Sequence, residues 1–188
     1  MNGNSTLFSL GVGVDSSAVV VGAVSGLPQL EQLTRSPFHI ATSDLEVELP
    51  ETYEFRDQYL DPWLAERGQQ IHILTPQVRD RNGETHSNLA RYYFAQAALP
   101  SRQTRACTER FKIKTIQGWA KQVLGPAQAD CVIGFDCHEG RRAAKMTDTA
   151  SYRYIFPVIY PRLETGGFKG ACQRYRRRQN GLLDRGKP

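Results

Sequence analysis

Short apolar runs alternate with longer amphipathic ones along most of this chain. Thr6-Leu7-Phe8-Ser9-Leu10-Gly11-Val12 is a turn-bounded apolar run of the kind that forms a buried strand. It leads through Gly13 and Asp15 into the stretch from Ser16 to Val24, whose β-branched residues weaken helix propensity. Asp15 or Ser16 nevertheless offers an N-cap and Gly26-Leu27-Pro28 a stop, so a helix is expected there. Phe38 to Thr42 predicts a second strand, and Ile71 to Leu74 a third that Pro76 ends. Between them, Pro50 to Glu66 predicts a helix: proline suits its first turn, Glu51 and Glu54 favour its positive end, and Gly68 follows its close. Pro62 is expected to kink its last turn. Arg79 to Glu84 reads as a polar loop. Ser87 to Leu99 and Lys112 to Leu124 predict two further helices, stopped by Pro100 and by Gly125-Pro126. Cys131 to Phe135 predicts a fourth strand and Tyr154 to Ile159 a fifth.

Such alternation calls for an α/β fold in three layers, a mostly parallel five-stranded sheet with helices on both faces. A length of 188 residues suits one domain, assigned here to residues 1–165, with a basic tail over 166–188. At 40% hydrophobic and 23% charged residues, disordered, collagen-like and coiled-coil classes are disfavoured. No run reaches the ~18–20 apolar residues of a membrane span, so no membrane partner is expected. Met1-Asn2-Gly3-Asn4 has no basic character and Asp15 interrupts the apolar stretch behind it, which argues against a signal peptide. Cys107, Cys131, Cys137 and Cys172 are too sparse for a disulfide scaffold, and the expected location is cytoplasmic. The net charge of +5 is concentrated at the end, where seven basic residues from Lys169 to Lys187 face one acid, Asp184. A tail of this kind suits nucleic acid or another polyanion, and equally a solvated helix face.

In an open parallel sheet the ligand crevice lies beyond the C-terminal strand ends. Ser9 to Ser17 occupies that place after the first strand. Gly11 and Gly13 permit a tight turn with inward amides, the helix N-terminus adds a positive dipole end, and Ser16 and Ser17 bring hydroxyls for phosphate oxygens. Asp15 beside a phosphate needs a cation between them, a role for Mg²⁺. Neither G-x-x-x-x-G-K-[ST] nor G-x-G-x-x-G is present. An ordinary strand-to-helix turn is the competing reading of the two glycines. Lys112 and Arg105 are candidates to neutralise phosphate charge, and Arg141 and Arg142 could do the same, with Glu139 orienting Arg142 by an i,i+3 pair. Asp44 sits where a loop after the second strand approaches a ribose or base, or caps a helix. Cys107 reads as nucleophile, cluster ligand or apolar filler, and Cys131 as core. With no C-x-x-C, an iron–sulfur cluster built from this chain alone is not expected. His39 and His72 read as core or edge residues, and the stripe Tyr53, Phe55, Tyr59, Trp63, Leu64 as packing.

Gly11-Val12-Gly13-Val14-Asp15-Ser16-Ser17 resembles the pyrophosphate-binding loop, S-G-G-x-D-S-[ST], of the PP-loop ATP pyrophosphatases, nearest their phosphoadenosine phosphosulfate (PAPS) reductase-like branch. Four further segments resemble that branch in the same order. They are Asp44 to Tyr53 (D-T-G-x-E-x-P-E-T-Y), Arg105 to Lys112 (R-x-C-T-x-x-[FW]-K), Ile133-Gly134 with Glu139 and Arg142 (I-G … E-x-x-R), and Phe156 to Ile159 (F-P-L-I). Gly11-Val12 stands where Ser-Gly is usual, Leu45-Glu46 has replaced Thr-Gly, and the C-terminal catalytic cysteine segment is missing. The resemblance implies an adenine nucleotide, ATP or PAPS, with its phosphates on Gly13, Asp15, Ser16 and Ser17. It implies Mg²⁺ held by Asp15 through the phosphates, and Asp15, Ser16 and Lys112 as catalytic residues. Ser9, Gly11, Asp44, Arg105 and Arg142 complete the implied nucleotide contacts. The implied reaction splits ATP to AMP and pyrophosphate to activate an acceptor in sulfur transfer or nucleic-acid modification. Two alternatives stand beside it. One is sulfonucleotide reduction with the thiol, or the missing segment, supplied by a partner. The other is a silent nucleotide-binding subunit of a nucleic-acid modification or defence complex.

Overall fold

The computed structural model describes residues 5–99, 107–125, 128–136 and 138–158, with only the backbone of Cys107. Arg105, Cys137, Cys172 and the basic tail over 166–188 lie outside the described residues. β1 (Thr6–Ser9), α1 (Val14–Val24), β2 (Phe38–Ser43) and β3 (Ile71–Leu74) come first. Before β3 the chain runs helically through α2 (Pro50–Phe55), a π segment (Arg56–Leu60) and α3 (Asp61–Ala65). A hairpin of β4 (Val78–Arg79) and β5 (Thr85–His86) precedes α4 (Leu89–Ala95). Another π segment (Cys107–Ile113) feeds α5 (Lys114–Leu124), then β6 (Ala129–Ile133), α6 (Gly140–Ala143) and β7 (Tyr152–Ile155).

Five strands form one sheet in the order β3-β2-β1-β6-β7, every neighbouring pair parallel. β1 is central, and its Leu7 and Phe8 are buried on opposite faces, which explains its continuous apolar run. On one face Phe8, Ile40 and Val132 pack against Val19, Val20 and Ala23 of α1 and against Leu60 and Leu64. On the other, Leu7, Ala41 and Cys131 pack against Ile116 and Ala120 of α5. The three-layer α/β arrangement follows from that two-sided burial. Among the described residues no helix is long and apolar enough to cross a membrane.

Several boundaries differ from the sequence reading, each for a local reason. β1 stops at Ser9 because the chain turns at Gly11 to Gly13. α1 starts at Val14 with Gly13 as its N-cap, so Asp15 and Ser16 lie in the first turn and neither is the cap. The expected helix over 50–66 is interrupted by the π segment: Pro62 has no N–H for the carbonyl of Gln58, and the wider turns absorb that loss. The helix expected over 87–99 is cut to Leu89–Ala95, capped by Asn88, whose side chain accepts the Arg91 amide at 3.0 Å. Lys112 lies in a π segment before α5 instead of opening an α-helix. β6 begins two residues early, at Ala129, and ends before Gly134; β7 likewise begins at Tyr152.

Candidate functional site

The strand order reverses between β1 and β6, so their C-terminal ends flank the switch point at which open α/β sheets bind ligands. The turn after β1 is set by three contacts. Leu10, buried, donates its amide to the Ala41 carbonyl at 2.8 Å. The Gly11 N–H donates to Ser16 Oγ at 3.2 Å, and the Ser16 hydroxyl donates to the Gly13 carbonyl at 3.1 Å. Ser16 therefore ties the turn together internally. Its proton and the Gly11 amide are committed within the chain, where the sequence reading had assigned both to phosphate.

Val12 is held at φ +56°. For a β-branched residue this left-handed backbone costs about 1–2 kcal/mol, and the strain sits at the tip of the turn. Gly13, by contrast, has an ordinary φ of −80°, and a Cβ there would meet nothing within 4 Å. Neither backbone geometry nor packing against this chain requires glycine at 13. Glycine is itself a favourable N-cap, and its missing side chain also leaves the turn open to the approach of another molecule. In α1 the first-turn amides of Val14, Asp15 and Ser16 have no intrahelical acceptor, as in any helix. The buried hydroxyl of Ser17 finds no hydrogen-bond partner. Asp15 is half-buried between these groups.

Beside the turn lies a shallow, open cleft. Gly11 and Val12 form one side, Thr42, Ser43 and Asp44 at the end of β2 its floor, and Glu48, Thr52, Tyr53 and Arg56 another wall. Lys112 closes it from the π segment and meets Glu48 Oε1 at 2.7 Å. The placement of Lys112 has a clear cause. Its neighbour Phe111 is fully buried among Leu45, Val78, Tyr92 and Tyr93, and the Phe111 carbonyl accepts the Ser43 hydroxyl at 2.6 Å. Asp44 accepts the Tyr53 hydroxyl and the Glu46 amide, both at 2.9 Å, while Arg56 NH1 stands 3.8 Å from its other oxygen. Asp44 thus closes a local turn; it caps no helix. Burial and the hydrogen bond to Asp44 raise the Tyr53 phenol above its ordinary value, so it stays a donor. The hydrogen bond between Arg56 and Asp57 raises the guanidinium and holds the Asp57 carboxyl below the usual range.

Of the sequence candidates, Gly11, Asp44 and Lys112 line this cleft, with Gly13, Asp15, Ser16 and Ser17 in the adjoining turn. Ser9 ends β1, paired between Ala41 and Ile133. Arg142 is not among the lining residues: it pairs with Glu139 and lies over the Phe135 ring at 4.5 Å. Cys131 is core, its thiol pushed up to about 12 by burial, so it is chemically quiet. His39 and His72 pack with Trp119 between β2, β3 and α5. Burial, and then the neighbouring His39, lower His72 below its usual value. The aromatic stripe divides: Leu64 is core, Tyr53 lines the cleft, and Phe55 and Tyr59 are exposed. Glu48, Tyr53 and Arg56 had no assigned role in the site. Their signal was the D-L-E-V-E-L-P-E-T-Y run itself, read above only as a likeness.

A second polar cluster lies in the β4–β5 hairpin, where Asp80, Glu84 and His86 bring ligand atoms within 4.8 Å of one another. Asp80 is buried and its oxygens are already used: Oδ1 accepts the amides of Asn82 and Glu84, and Oδ2 meets His86 Nε2 at 3.0 Å. Its work is to close the turn. Burial pushes its carboxyl upward, but His86 and the two amides outweigh this and hold it below its ordinary 3.8. A depressed carboxyl stabilises above its unfolded value and loses that contribution as pH falls through the folded one. Protection of the Asn82 and Glu84 amides, which is their exchange measured against the intrinsic rate at each pH, is therefore expected to be high at neutral pH and to fall below about pH 4. Asp80→Asn should abolish that pH dependence.

No family model matches the sequence, and a search of the curated proteins finds no relative.

Proposed function

We propose that the chain is an adenine-nucleotide-binding enzyme of the PP-loop type, which splits ATP into AMP and pyrophosphate to activate an acceptor. The observation that carries this reading is the open turn at Gly13, on the central strand at the switch point, opening beside a cleft that holds Lys112. Free first-turn amides and the α1 dipole suit the leaving phosphates. The orphaned Ser17 hydroxyl is a donor in want of an acceptor at the same helix end. Lys112 uses one of its three protons on Glu48 and keeps two for phosphate oxygens. Half-buried Asp15 would hold Mg²⁺ jointly with those oxygens. When bound, the ion neutralises charge developing on the leaving group. In the reaction the acceptor attacks the α-phosphorus, the bond to the β-phosphate oxygen breaks, and pyrophosphate leaves toward the turn. A nucleic-acid acceptor reached by Lys169 to Lys187 fits the charge of the tail.

The test is calorimetry with ATP, AMP and PAPS in Mg²⁺, together with pyrophosphate release from ATP. Asp15→Ala is expected to lower release by at least about 100-fold. Gly13→Ala should leave the fold intact while weakening ATP at least about tenfold, the loss of one amide–phosphate bond of about 1.5–3 kcal/mol. Full affinity in Gly13→Ala would remove the main support. The internal bonds of Ser16 favour a second reading, binding without turnover. ATP affinity with no pyrophosphate release, in the presence of nucleic acid as well, would select it.

A further inference from the structure

The charges of this chain are sorted by region. Residues 44–66 hold eight of its 19 acids and a single base, Arg56, while residues 169–187 carry seven bases and one acid. Arg56 is already engaged, with Asp57 at 2.6 Å and Asp44 at 3.8 Å. Along the helical run from Pro50 to Ala65, the side chains of Glu51, Glu54 and Asp61 have no hydrogen-bond or ion-pair partner among the described residues. Phe55 and Tyr59 on the same run are 40% and 63% exposed and stack with ring centroids 6.5 Å apart. Free carboxylates together with bare aromatic rings suit arginine above other residues: its planar fork bonds carboxylates and its flat face lies on rings. The chain makes such ring contacts locally, with Arg67 over Trp63 at 3.9 Å and Arg56 over Tyr53 at 5.1 Å. Nucleic acid, in contrast, is repelled by this face.

We infer that this acidic, aromatic face docks the chain's own arginine-rich segment, Arg174-Tyr175-Arg176-Arg177-Arg178, and that nucleic acid competes for the same arginines. Charge complementarity supplies the attraction. Reach permits it: sixteen residues separate Val158 from Arg174, about 50 Å when extended, whereas a five-stranded sheet is about 20 Å across. Tethering also raises the local concentration of the segment to about the millimolar range, which favours it over the tail of a second copy. Thr52, Tyr53 and Arg56 of the same run line the cleft, so the docked segment lies at its rim. The inference does not depend on the nucleotide reading.

The test is limited trypsin digestion of the full chain, following cleavage at Arg174 to Arg178 by mass spectrometry. Neutralising the face in Glu51→Gln/Glu54→Gln/Asp61→Asn is expected to speed that cleavage at least about fivefold. Glu31→Gln/Glu84→Gln/Glu109→Gln makes the same change in net charge away from the face and should leave the rate within about 1.5-fold. Thermal melts confirm that both variants fold. In the wild type, carbodiimide should couple Lys169 or Lys187 to Glu51, Glu54 or Asp61 at a yield independent of protein concentration, and excess single-stranded DNA should abolish the links. Equal cleavage in all three proteins, absent links, or links that survive the DNA overturns the inference. Links that grow with concentration overturn it in favour of a second copy's tail. Each of these results leaves ATP binding, measured separately, as the test of the nucleotide reading.

Discussion

Truncating Phe111 to alanine is expected to lower stability by about 3–5 kcal/mol, the usual range for a buried phenylalanine. The side chain is fully buried and meets the Tyr92 ring edge-on, with centroids 5.3 Å apart. Its cluster is small, with Leu45, Val78, Tyr92 and Tyr93 as the other buried members, so few neighbours can collapse into the space. A domain of this size is stable by about 5–15 kcal/mol in total, and the loss is a large share of it. The consequence reaches the cleft as well. Phe111 pins the π segment that carries Lys112, and its own carbonyl receives the Ser43 hydroxyl from the floor of the cleft. Urea unfolding measures the first effect. Phe94→Ala, at a site 85% exposed, is the contrast and should stay within about 0.5 kcal/mol. A Phe111→Ala loss below about 1 kcal/mol would mean that this cluster does not hold the segment in place.

The same residues show what could be read in the sequence. Periodicity and turn residues identified every strand of the main sheet, because the central strands are buried on both faces and leave continuous apolar runs. Cys131 was recognisable as core for that reason. Local features with several equivalent solutions were not legible. Asp15 and Ser16 are both good cap residues, yet Gly13 takes the position because Ser16 is spent on the Gly11 amide and the Gly13 carbonyl. The π segments leave no period of their own, and Tyr59, inside the first of them, stands in solvent. Two-residue strands such as β4 and β5 are shorter than any pattern; a buried aspartate, not alternation, closes their turn.

The candidate site divides along similar lines. The turn after β1 is a local arrangement, and its glycines marked it in the sequence. The partnership of Glu48 with Lys112 spans 64 positions and arises because Phe111 docks beside β2. No spacing rule reaches that far. Charge, an expected helix start and the family resemblance suggested Lys112 as a phosphate ligand; only the fold supplies the carboxylate that holds it.

Gly134→Ala should be the most damaging single methyl group at the site. A Cβ at 134 would overlap Ser16 Cα and stand 2.7 Å from Ser16 N and 2.9 Å from the Asp15 carbonyl carbon. All three are backbone atoms, so no side-chain rotation relieves the overlap. Either α1 or the end of β6 has to move, and both flank the switch point. Overpacking of this kind costs about 3 kcal/mol, which for a chain of this length lowers the melting midpoint by roughly 6–12 °C. The displaced element carries Asp15 and Ser16, so on the function proposed above ATP affinity is expected to fall along with stability. Gly118→Ala is the matching control, since a Cβ there meets nothing within 4 Å and the residue is exposed within α5. It should stabilise by about 0.5–1 kcal/mol through helix propensity. If Gly134→Ala melts with the wild type, the first turn of α1 is not seated against the end of β6.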